Sequence, residues 1–197
     1  MGRAEKRQLI LNSAIELFVA KGMEHTKITD ISKKSDIGKS TFYEYFKNKA
    51  DLVCQWMDGT MAGLQLSDEI LATLPDQSSK IDLLIQQNCN PELTSPEIMT
   101  MFVEFWRLAI NEKHPQALEM MKGIYNNYSD LLCKWLEEGV ASGEFVNHNT
   151  KQVAACLIGG IDGLWLQYFV FGENYCLYEN VQTFVTTLLN GLKPDIP

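Results

Sequence analysis

Apolar residues recur at helical spacing along almost the whole chain. Ile10, Ala14, Leu17, Phe18 and Lys21 follow the i, i+4, i+7 rhythm of an amphipathic helix. Gly22 supplies a stop, so a first helix is predicted from Arg3 to Lys21. Thr26 or Thr29 offers an N-cap for a short helix with Ile28 and Ile31 on one face, and Ser35, Asp36, Ile37 and Gly38 break it. Lys39 to Phe46 reads as another short helix with Phe42 and Phe46 at i, i+4 facing inward, which leaves Lys39, Ser40, Thr41, Tyr43 and Tyr45 for the other faces. Asn48 is a candidate cap for a long fourth helix in which Leu52, Val53, Trp56, Met57, Met61 and Leu64 keep the period. Beyond it the pattern stays helical, with breaks at Pro75 to Ser79, Asn88 to Pro96, His114 and Pro115, Gly143 to Asn149, and Gly172 to Tyr175. No strict alternation long enough for a strand occurs, so the fold is predicted to be all-α with about nine helices.

Charge divides the chain. Residues 1–50 carry 10 basic and 6 acidic side chains and the remainder 7 and 19, so the first segment is +4 and the rest −12. A net charge of −8 makes the surface as a whole repel polyanions, so any nucleic-acid contact must be local to the first segment. The other reading of that segment is that Lys33, Lys34, Lys39, Lys47 and Lys49 merely solvate helix faces.

With 197 residues, 46% of them hydrophobic, the chain can build a core without staples. Cys54, Cys89, Cys133, Cys156 and Cys176 are odd in number and scattered, with no metal-ligand spacing, which points to a reducing cytoplasm. Arg3, Glu5, Lys6 and Arg7 lead straight into an amphipathic pattern rather than a secretory leader. The apolar run from Val153 to Gly172 is long enough to span a bilayer. It holds Asp162 near its middle, which costs about 2.5–3.5 kcal/mol on insertion scales, so it is expected to be a buried helix and no membrane partner is implied.

Two short helices around a tight turn, the second rich in hydroxyls, amines and aromatic OH groups, form the pattern of a helix-turn-helix DNA reader. Ser40, Thr41, Tyr43, Tyr45 and Lys49 can donate to phosphate oxygens, while Lys39 and Thr41 near the helix start can reach base edges in the major groove. The segment ITDISKKSDIGKSTFYEYFKNKADL, Ile28 to Leu52, resembles the DNA-binding signature of the TetR (tetracycline repressor) family, and Phe18 and Gly22 sit where that family places its LF and G. The resemblance covers about the first quarter of the chain; the rest is similar in length and helical character. It implies that Thr29, Lys39, Ser40, Thr41, Tyr43, Tyr45 and Lys49 match DNA-contacting positions. Ser35 and Asp36 depart from the Ala and Gly usual at the turn, and Asp tolerates the left-handed conformation such a turn needs.

The family resemblance divides the chain into a helix-turn-helix DNA-binding domain, residues 1–48, and a ligand-sensing and dimerisation domain, residues 49–197. A single two-helix reader gains affinity by pairing, so that two recognition helices meet major grooves about 34–36 Å apart. The resemblance puts the homodimer interface on the last two helices. There Ala155, Gly159, Gly160 and Gly163 form a small-residue stripe, with Leu188, Leu189 and Leu192 in the final segment. Packing within one subunit is the competing reading of these residues.

Met and aromatic side chains crowd the middle helices and suit either a plain core or an apolar ligand cavity. The resemblance favours the cavity, with Phe102, Trp106, Met121, Tyr125, Trp165 and Phe169 as candidate lining. Arg107, Lys113 and Lys122 are the only Lys or Arg from Pro96 to Lys122, and Arg107 can pair with Glu104 at i+3. A neutral or cationic lipophilic inducer is therefore expected ahead of an anionic one. Asp162 needs a partner, whether a helix terminus, a second subunit or a ligand.

No P-loop, GxGxxG, GxSxG or HExxH occurs, and His25, His114 and His148 stand apart, so neither cofactor nor metal is called for and no enzyme is indicated. The reading reached is a ligand-responsive transcriptional repressor that binds double-stranded operator DNA and leaves it when a small molecule binds. The alternatives are a ligand-independent DNA-binding protein and an all-helical cytosolic enzyme.

Overall fold

The computed structural model describes residues 2–89, 91–111 and 114–194. Among the described residues ten α-helices follow in order: α1 Arg3–His25, α2 Ile28–Lys34, α3 Lys39–Tyr45, α4 Lys49–Gly63, α5 Asp68–Leu71, α6 Gln77–Asn88, α7 Pro96–Ala109, α8 Pro115–Ser142, α9 Thr150–Phe171 and α10 Leu177–Asn190. No strand occurs among the described residues. The breaks expected at Asn88 to Pro96, His114 and Pro115, Gly143 to Asn149, and Gly172 to Tyr175 fall at or between helix ends, whereas α6 already starts at Gln77, inside the break expected from Pro75 to Ser79. The fourth helix is shorter than its apolar period suggests. It ends at Gly63, and Ser67 starts the four-residue α5 by accepting from the Ile70 N–H at 3.3 Å.

The chain forms two compact units, residues 1–63 with 94–122, and residues 64–93 with 123–197. In the first, α1, α2, α3, α4 and α7 close around Ile10, Phe18, Ile31, Phe42, Leu52 and Phe105, each at most 1% exposed. Helical hydrogen bonding in α1 continues to His25, but Gly22 sits at φ 78, ψ 153, a conformation only glycine adopts freely, so the regular helix stops there as predicted. In the second unit, α9 packs on α10, which also packs on α6. Gly160 makes the α9 approach possible: a Cβ there would lie 2.2 Å from Cζ of Phe184.

The apolar helix α9 departs from expectation. Only Ala154, Leu157 and Tyr168 are buried in it, whereas Leu166, Val170 and Phe171 are 64%, 72% and 61% exposed. One face packs inside its unit and the other is uncovered in the single chain. It is long and apolar enough, by length and composition, to cross a bilayer.

Candidate functional site

The α2–turn–α3 segment is built from local signals. Lys27 rather than Thr26 or Thr29 occupies the N-cap position of α2, and Asp30 accepts its N–H at 3.1 Å. Thr26 is fully buried and donates its hydroxyl to the carbonyls of Gly22 at 2.8 Å and Leu17 at 3.3 Å, closing the chain reversal after α1. Lys21 pairs with Asp30 at 2.5 Å and Glu16 with Lys34 at 2.7 Å, fastening α2 along α1.

In the turn, Ser35 is buried with its hydroxyl on the Ile31 carbonyl at 2.6 Å, and Asp36 adopts φ 50. Asp36 is the only non-glycine residue at positive φ among those described, and it makes the tight turn without glycine. Phe42 and Phe46 point inward, 0% and 1% exposed, with ring centroids 5.7 Å apart.

That anchoring turns the remaining face of α3 outward. Lys39, Ser40 and Tyr43 are exposed, Tyr43 by 49%, and Thr41 and Tyr45 are half-buried; Thr29 is exposed on α2. Lys49 stands apart from this set. Its ammonium donates to the carbonyls of Met23 and, at 2.6 Å, Thr26, and burial pulls its pKa down. It serves there as a tie between the start of α4 and the end of α1. Asn48 caps α4 as predicted, accepting from the Asp51 N–H at 2.8 Å.

Sequence reasoning passed over the N-terminal turn of α1. Arg3 lies over the Tyr45 ring at 5.9 Å, and Gly2, Arg3, Lys6, Glu44 and Tyr45 line an open groove of about 540 Å³ beside the end of α3. The signal available was the run of cations Arg3, Lys6 and Arg7. Arg7 is drawn inward, over Phe46 at 5.4 Å and onto Gln55 at 3.0 Å.

The six candidate ligand residues divide between the units. Phe102, Trp106 and Met121 belong to the first, where Phe102 meets Trp56 edge-on at 5.3 Å and Trp106 is 42% exposed. Tyr125, Trp165 and Phe169 belong to the second, where Trp165 and Phe169 lie 6.0 Å apart and the Tyr125 hydroxyl donates to Asp162 Oδ2 at 2.8 Å. Burial raises the pKa of both Asp162 and Tyr125. Arg107 pairs with Glu104 at 2.7 Å as expected and also with Glu24 at 3.0 Å. Lys113 lies outside the described residues.

Of the small-residue stripe, Ala155 and Gly159 are exposed, and a Cβ at Gly159 or Gly163 would meet nothing within 4 Å. Gly160 serves packing inside the unit. Leu188 is half-buried, and Leu192 lies just past α10 with its carbonyl accepting from the Val146 N–H at 2.7 Å.

Two family models match the chain. Residues 10–55 match that of bacterial regulatory proteins, tetR family, and residues 78–192, more than half the chain, that of the BetI-type transcriptional repressor C-terminal part. The HTH-type transcriptional regulator YvdT of Bacillus subtilis is 26% identical, over 97% of this chain and 95% of its own length. Among solved structures, FadR of Bacillus subtilis in complex with stearoyl-CoA superposes with a TM-score of 0.75 at 21% identity, covering 94% of this chain and 98% of that one. A transcriptional regulator from Saccharomonospora viridis in complex with choline gives a TM-score of 0.77 at 18% identity, covering 98% and 100%.

Proposed function

The chain belongs to the TetR family of bacterial regulatory proteins, and from that premise we propose that it is a cytoplasmic, homodimeric repressor that leaves its operator when a small lipophilic molecule binds. The observation that carries the reading is the outward face of α3, with Lys39, Ser40 and Tyr43 exposed on a segment of charge +4 over a locked Phe42–Phe46 anchor. Lys39 and Thr41 read base edges in the major groove, and Thr29, Ser40, Tyr43 and Tyr45 hold phosphates. Arg3 and Lys6 extend the phosphate contact along the groove beside Tyr45. Residues 1–48 act as the DNA reader and residues 49–197 as sensor and dimerisation domain. The protein works by binding and catalyses nothing.

Ligand-bound relatives such as the stearoyl-CoA and choline complexes support a small-molecule signal in this chain as well. Of the six candidates, Tyr125, Trp165 and Phe169, which share the second unit, are proposed to line its site. Ligand binds better to a state whose two recognition helices are wrongly spaced, so it lowers DNA affinity by its difference in affinity for the two states. The uncovered face of α9, with Ala155, Gly159, Gly163, Leu166 and Val170, supports a dimer formed there and on α10 near Leu188 and Leu192.

Fluorescence anisotropy on DNA from the gene's own upstream region against scrambled DNA, over a salt series, tests the reading. Tight, sequence-selective, salt-dependent binding by a dimer, weakened in Tyr43→Phe, is expected. Equal weak binding to both DNAs, with no operator recovered by genome-wide selection, would overturn it.

A further inference from the structure

A carboxylate stands in the middle of the most apolar helix of the chain. Asp162 belongs to α9, which is long and apolar enough, by length and composition, to cross a bilayer. It is half-buried, and its Oδ2 accepts from Tyr125 at 2.8 Å. The influences acting on its ionisation are burial and the Tyr125 hydroxyl, with no cationic side chain among them. One neutral hydroxyl compensates a desolvated negative charge poorly.

Around it, the polar atoms of the aromatic residues are already engaged. Tyr125 gives its hydroxyl to Asp162, and Tyr128, one turn on, gives its own to Asn88 at 2.7 Å. Burial pushes the thiol of Cys89 up to about 12. Trp165 and Phe169 follow Asp162 at i+3 and i+7, with rings tilted 39° to one another, and Tyr168 meets Trp165 edge-on at 6.0 Å. A carboxylate with lone pairs to spare, bonded to one aromatic hydroxyl and carried on the same helix as the Trp165 and Phe169 rings, complements a positive charge on an apolar body, since the carboxylate and π-clouds attract the same cation. An anionic ligand would meet repulsion at the same place.

We propose that Asp162, with Tyr125, Trp165 and Phe169, receives the charged head of a lipophilic organic cation. The inference rests on the ligand-responsive reading above and adds the charge of the ligand to it.

Three probes of one chain length, dodecyltrimethylammonium, dodecanol and dodecanoate, test it below their micellar concentrations. Each is titrated into the full-length protein by calorimetry and into its operator complex by anisotropy. The ammonium is expected to bind at least tenfold tighter than the other two and to release DNA. Asp162→Asn keeps the side-chain shape and a partner for Tyr125, and is expected to lose about 30-fold or more in ammonium affinity, as removal of one partner of a desolvated charge pair does, while dodecanol binding stays within twofold. Tyr125→Phe, checked for native circular dichroism, serves as the second variant and is expected to lose less than Asp162→Asn. Unchanged ammonium affinity in Asp162→Asn, or equal or tighter binding of dodecanoate by the wild type, would overturn the proposal. Release of DNA by dodecanol or dodecanoate alone would sink the charge assignment and leave ligand-responsive repression standing. An operator complex indifferent to all three probes, with none of them bound, counts against both.

Discussion

Lys39 and Lys49 belong to one basic segment and face opposite demands. Lys39 is exposed at the start of α3, whereas Lys49 gives its ammonium to the carbonyls of Met23 and Thr26. Lys39→Ala should weaken operator binding and relax its sequence preference, read by competition between operator variants, with about 1–3 kcal/mol at stake for one base contact. Lys49→Ala should lower thermal stability by about 1–2 kcal/mol, because two carbonyls lose a charged donor at a partly solvated site. A Lys49→Ala chain that melts like wild type but loses about one unit of salt slope would return this lysine to the phosphate contacts. Asp36→Gly relieves the cost of φ 50 and removes a negative charge from the turn, so it should stabilise the fold by up to about 1 kcal/mol and tighten DNA binding at low salt.

Asp162 is also a stability residue. Burial raises its pKa above the ordinary 3.8, so between those two values the folded chain holds more protons than the unfolded one. Stability contributed by the protonated form is therefore present below 3.8 and lost as pH rises through the folded value. In melts of the ligand-free protein, Asp162→Asn should raise Tm at pH 8 by about 2–4 °C, the shift that ~1 kcal/mol gives in a chain of this size, and the gain should vanish at pH 3.

At the scale of elements, what could be read in advance was what is written locally. Gly22 ends a helix because φ 78 suits glycine alone, and Gly22→Ala should cost about 1–3 kcal/mol by strain, read as a lower denaturation midpoint. The turn at Asp36, the inward pair Phe42 and Phe46 and the Asn48 cap are equally local and stand where the pattern puts them, and the Pro-marked breaks do so to within a few residues, α6 starting at Gln77. What escaped reading depends on partners far away in sequence. The hydroxyl of Thr26 looks like a cap until the carbonyls of Leu17 and Gly22 are seen to claim it. Lys49 looks like a phosphate ligand until α1 bends back to it. Apolar periodicity cannot distinguish a helix buried in its own subunit from one with a face left open, which is why α9 was expected inside. Hydrophobic facing likewise offered six ligand residues with no sign that they belong to two units.

At the scale of the molecule, the open face of α9 is the proposed dimer interface. Leu166→Glu with Val170→Glu places two charges on side chains that are 64% and 72% exposed in one chain, so neither should unfold the subunit. If that face is the dimer interface, the double variant should sediment as a monomer and lose operator affinity by far more than its unaltered DNA-reading face would suggest. A dimer that persists would move the interface elsewhere.

The helix α7 packs with α1 and α4, and its Met101, Phe105 and Leu108 fill the core of the unit that holds the DNA reader. Glu104 accepts the Met23 N–H at 3.3 Å, directly after the Gly22 break. The piece of this chain that is exchangeable as a specificity cassette is therefore discontinuous. A chimera that imports another repressor's residues 1–63 while keeping this α7 inherits a mismatched floor. One that carries 94–122 along with them transplants a complete core.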